Sequence, residues 1–77
     1  MKFEEHAKQR LDNWKGENEW NEWDAKKLIT ESQEELVDCY NYLNQLLLRH
    51  KSLNGIIAKS VSECKMIYER LEKLKQR

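Results

Sequence analysis

From Leu28 to His50 the chain contains neither glycine nor proline and keeps one dominant period. Ile29, Ser32, Leu36, Cys39, Leu43, Leu46 and His50 recur in alternating steps of three and four. That spacing places them on one face of an α-helix. Glu31, Glu34, Glu35 and Asp38 lie together within a sector of roughly 100° on the same helix. Like charges at these spacings repel by a few tenths of a kcal/mol per pair, and no Lys or Arg interrupts the run between Lys27 and Arg49. Two explanations fit. The acids form a solvated face paired with basic residues from elsewhere, or they hold a divalent cation such as Mg²⁺, which takes carboxylate oxygens, waters and substrate phosphates.

The flanks predict two further helices. Phe3, Ala7, Leu11 and Trp14 form a narrow apolar stripe over about residues 3–14. A helix this short is marginal alone and has to pack on something. Gly16 breaks it. Trp14, Trp20 and Trp23, all the tryptophans of the chain, fall within ten residues. They serve either as staples clamping the first helix onto the long one or as an aromatic shelf for a base or a partner side chain. The long helix is expected over about residues 20–50, capped by Asn18 or Asn21. Arg49, His50 and Lys51 oppose its dipole at the end. Ser52-Leu53-Asn54-Gly55 reads as a turn, with Ser52 or Asn54 capping a last helix over about residues 55–75. Leu53, Ile57, Ser60, Cys64, Ile67, Leu71 and Leu74 give that helix a heptad seam.

The expected architecture is all-α: a long antiparallel helical hairpin with a short N-terminal helix. Two registers are open. With facing residue numbers summing to about 103, Cys39 meets Cys64; with a sum near 110, Asn54-Gly55 forms the turn and Leu43 meets Ile67. Either hairpin buries one seam only and leaves Val37, Leu48 and the tryptophans over. Apolar residues make up 39% of the 77, which is modest for a monomer of this size, so dimerisation into a four-helix bundle is the expected completion.

Charge and cysteine usage exclude several classes. Fourteen basic residues balance fourteen acidic ones, which gives no nucleic-acid signal. The longest wholly apolar run, Leu46-Leu47-Leu48, cannot span a membrane. No signal peptide opens the sequence, so a cytoplasmic protein is expected. Cys39 and Cys64 lack zinc-site spacing and read as small buried hydrophobes. A disulfide between them requires Cα atoms within about 7 Å, and a reducing compartment argues against one.

Glu31-x-x-Glu34-Glu35-x-x-Asp38 followed by Cys39-Tyr40-Asn41-Tyr42-Leu43 resembles the acidic signature of the all-alpha nucleoside triphosphate pyrophosphohydrolases, the MazG-like group. The same stretch is similar to short helical phage proteins with a Glu-Glu-Leu-x-Asp-x-x-Asn-Tyr-Leu run. The resemblance covers about twenty residues. It implies Mg²⁺ held by Glu31, Glu34, Glu35 and Asp38, with Glu35 and Asp38 as the catalytic pair activating water. This chain departs from the family by carrying both acidic pairs on one helix, with no second acidic motif on the last. No Ser/His/Asp or Cys/His constellation and no Gly-rich phosphate loop occurs, so metal chemistry is the only enzymatic route in view.

Two functions follow. One is an oligomeric interaction or inhibitor protein that occupies a host protein or sequesters a small ligand, with Trp14, Trp20, Trp23, Tyr42 and Arg49 as contact residues. The other is a Mg²⁺-dependent, nucleotide-handling protein of MazG-like type, or a remnant that only binds the nucleotide.

Overall fold

A computed structural model describes residues 1–13 and 23–77. Three α-helices account for nearly all of them: α1 (Phe3–Asp12), α2 (Ala25–Arg49) and α3 (Asn54–Lys75), with a 3-10 turn at Lys51–Leu53. No strand occurs among the described residues, so the fold is all-α.

The helix ends have local causes. α2 begins five residues later than the expected start near residue 20, because Asp24 is its cap. Asp24 is in extended backbone, and its carboxylate accepts the Lys27 N–H at 2.8 Å. It also sets a negative charge against the positive end of the helix dipole. Asn18 and Asn21, the caps expected from sequence, lie outside the described residues. α2 ends where the basic cluster begins: His50 leaves helical geometry at φ −134°, ψ 70°, and its N–H still donates to the Leu46 carbonyl at 2.9 Å.

The connection differs from the expected turn. Neither Ser52 nor Asn54 caps α3. Leu53 stands at the cap position with no side-chain hydrogen bond, and Asn54 is already helical at φ −51°, ψ −48°. The reversal is made by the 3-10 turn, closed by the Leu53 N–H on the His50 carbonyl at 3.0 Å. Asn-Gly chemistry plays no part in it.

α2 and α3 pack on each other. The Gln33 amide donates to the Tyr68 carbonyl at 3.2 Å and to the Glu72 carboxylate at 3.1 Å. Cys39 is near enough to Cys64 to influence its thiol. Both sets of pairs match the register in which facing residue numbers sum to about 103.

The face α2 turns to α3 is partly rotated from the one its apolar period marks. Of that series Ile29, Leu36 and Leu43 are half-buried, but Ser32, Cys39, Leu46 and His50 are exposed, while Gln33, 4% exposed, and the half-buried Leu47 join the contact. Ser32 satisfies its own hydroxyl locally, donating to the Leu28 carbonyl at 2.8 Å. Gln33 has the longer apolar stem and an amide able to reach across. On α3 the expected seam holds at Ile57, Ser60, Cys64 and Leu71 and fails at Leu53, Ile67 and Leu74, which are exposed.

α1 does not bury its stripe. Every residue from Met1 to Asn13 is exposed, Phe3 at 81%. Among the described residues its side-chain tie is the Lys8–Asp12 ion pair at 3.0 Å, four residues apart on the helix surface. The expectation that α1 packs its stripe is therefore not met. The clamp assigned to Trp14 and Trp20 falls outside the described residues.

Gln33 is the buried polar residue of this interface. Truncating it to Ala removes two hydrogen bonds and leaves a void between the helices. The Gln33→Ala variant should lose about 1–2 kcal/mol of stability, read as a lower midpoint in urea unfolding followed by circular dichroism.

Candidate functional site

Side-chain burial in the helix pair is shallow. Among the described residues, the buried apolar side chains are Ile57 at 6% exposure and Cys64 at 9%. Large apolar residues remain in water along both helices, among them Val37 at 44%, Tyr40, Leu48, Ile56 and Tyr68. Isolated exposed hydrophobes are ordinary, whereas a contiguous set marks a contact surface.

Part of this set is contiguous. Two open hollows of about 450 and 430 Å³ lie along the α2–α3 pair, and Val37 and Tyr68 line both. Together they make one groove. One end is apolar, walled by Leu36, Val37, Tyr40, Cys64 and Tyr68. The other is more polar, with Thr30, Gln33, Glu34, Asp38 and Lys75 beside Val37 and Tyr68. Helical spacing generates the α2 wall: residues 30, 33, 34, 37, 40 and 41 recur at three and four. Tyr40 and Tyr68 suit such a place, since each offers an apolar ring and a polar tip.

The acidic residues divide among different surroundings. Glu34 and Asp38 face the polar end of the groove. Glu35 is exposed and lines neither hollow. Glu31 is half-buried and pairs with Lys27 at 3.1 Å, one turn earlier on its own helix. Among the described residues no three His, Cys, Asp or Glu side chains group so as to hold a metal ion.

The proposed contact residues divide as well. Trp23 is half-buried just before the Asp24 cap, with the Lys27 ammonium 5.0 Å from its ring centroid. That distance is within cation–π range. Lys27 therefore holds the Trp23 ring on one side and Glu31 on the other. Trp14 and Trp20 lie outside the described residues. Tyr42 is 76% exposed and Arg49 is exposed at the end of α2, and neither lines the groove.

The cysteines differ from each other. Cys64 is buried, as expected, but Cys39 is exposed at the rim of the helix pair. Burial pushes the Cys64 thiol above its ordinary range, with the neighbouring Cys39 and the Glu63 charge adding to the effect.

Sequence reasoning missed Gln33, Tyr40 and Lys75 as groove or interface residues. The available signal was the spacing of Gln33, Leu36, Val37 and Tyr40, offset by one position from the more apolar series through Ser32 and Cys39. Among the described residues no helix is long and apolar enough to cross a membrane. No family model, curated protein or solved structure matches the chain.

Proposed function

We propose that this chain is a helical interaction protein whose α2–α3 hairpin works as an oligomer, two copies closing their grooves on each other as a four-helix bundle. The observation that carries this is the mismatch between an apolar core of two side chains among the described residues and the uncovered Val37–Tyr40–Tyr68 groove. The surface area supports it. The chain exposes 6932 Å², whereas a compact monomer of 9.4 kDa exposes about 5,000 Å². Part of the excess is α1. A stable dimer buries about 800 Å² on each partner, well within the total excess of about 1,900 Å². A balanced net charge raises no electrostatic barrier to self-association. The assembled bundle carries the tryptophan-rich segment and the acidic helix face to a further partner, a host protein or a nucleotide-like small molecule.

A second reading, a Mg²⁺-dependent nucleoside triphosphate pyrophosphohydrolase or its nucleotide-binding remnant, draws on one placement. Glu34 and Asp38 share the groove with Lys75, carboxylates to approach a divalent cation and an ammonium to approach a phosphate. A partner copy would have to supply the remaining donors.

Light scattering on the purified chain at micromolar concentration should give the mass of a dimer. Val37→Glu places an unpaired carboxylate in the contact, a cost of several kcal/mol, and should return the monomer mass with helix content kept. A wild-type monomer, or a variant that dimerises unchanged, contradicts the proposal. For the second reading, Mg²⁺ titrated with a nonhydrolysable nucleoside triphosphate should give saturable heat that Glu34→Gln with Asp38→Asn removes. Absence of heat from a folded dimer eliminates it.

A further inference from the structure

Cys39 and Cys64 stand at the same level of the α2–α3 contact, and the register places them there. Gln33 bonds Tyr68 and Glu72, which straddle the same point on α3. Cys39 lies six residues beyond Gln33 on α2, and Cys64 lies six residues before the midpoint of Tyr68 and Glu72 on α3. Because the helices run in opposite directions, both steps travel the same way, about 9 Å along the pair at helical rise. In keeping with that placement, the neighbouring Cys39 adds to the upward shift of the Cys64 thiol. The pair is asymmetric: Cys39 is open to water and Cys64 is sheltered. Small apolar filling of a seam accounts for a buried Cys64. It gives no reason for a second thiol facing it from the rim.

We propose that Cys39 and Cys64 are a thiol–disulfide site, in which a peroxide converts the facing pair into a covalent clasp joining α2 to α3 within one chain. The balance is simple. The exposed Cys39 thiol, deprotonated by solvent, attacks one oxygen of hydrogen peroxide. The O–O bond breaks, the departing hydroxide takes a proton and leaves as water, and Cys39 becomes a sulfenic acid. The Cys64 sulfur then attacks the Cys39 sulfur. The S–O bond breaks, the S–S bond forms, and the oxygen leaves as a second water with the Cys64 proton. Two thiols and one peroxide give one disulfide and two waters. Cys39 acts first because an oxidant reaches the exposed thiol, and Cys64 resolves because the register sets it at the same level of the helix pair. The clasp closes the loop that contains the 3-10 turn. It holds the register otherwise set by Gln33, and it rests on the pairing of helices within one chain rather than on a second copy.

The test uses the full reduced chain, diluted and treated with one equivalent of hydrogen peroxide, then alkylated and weighed intact. The expected product has lost two hydrogens and both alkylatable thiols while remaining a single chain. A nonreducing digest should join the Cys39 peptide to the Cys64 peptide. Tm should rise by on the order of 10 °C and return when dithiothreitol is added. In the Cys64→Ala chain, shown to be folded by circular dichroism, Cys39 should stop at the sulfenic acid and react with dimedone. Oxygen added to Cys39 while Cys64 stays alkylatable in the wild-type chain overturns the proposal. So does a Cys39–Cys39 link between chains as the main product.

Discussion

Gln33 is the contact on which the helix pair depends. Its amide reaches from α2 to a backbone carbonyl and a carboxylate of α3, at 3.2 and 3.1 Å, from a site 4% exposed. A buried amide must find partners or carry a desolvation cost of about 1–3 kcal/mol. In this register the partners are Tyr68 and Glu72. A slip of one helical turn would take the amide about 5.4 Å away from them. Apolar contacts do not discriminate so sharply, because Leu and Ile pack in neighbouring layers at little difference in energy. Hence one polar side chain selects the register, and Ile57, Cys64 and Leu71 fill the space it defines.

The same contact leaves the pair incomplete. With Gln33 turned inward, α2 is rotated so that Val37 and Tyr40 come to the edge of the interface, where they meet Tyr68 and leave an open groove. A helix pair with a core of two buried apolar side chains has little burial to set against the entropy of ordering its chain. Covering the groove adds apolar area where the single chain lacks it. The fold and the proposed association therefore have one physical origin, a polar register device that displaces part of the apolar stripe toward a partner.

Helix existence was legible in the periodicity of α2 and α3, and the end of α2 in its basic cluster. Its start was not, because Asn18 and Asn21 are as suitable by type as Asp24, whose carboxylate makes the cap. The rotation of α2 was hidden for a related reason. Ranking positions by apolarity favours Ser32 and Cys39 over Gln33, although serine can bond within its own turn and glutamine can reach a neighbour. The acidic sector was legible as a sector. The separation of Glu34 and Asp38 in the groove from Glu35 outside it depends on where α3 lies, and no property of α2 alone encodes that. α1 kept the periodicity of a packed helix, yet its stripe is uncovered in one chain.

The central claim is that the helix pair becomes stable by being covered by its own copy, and the concentration dependence of thermal unfolding tests it most directly. Coupling of folding to dimerisation makes Tm rise with protein concentration. Melting followed by circular dichroism over a hundredfold concentration range should move Tm upward by several degrees, about the shift expected for one to three kcal/mol in a domain of this size. A sharp transition at a Tm independent of concentration would show that one chain suffices, and would contradict the account.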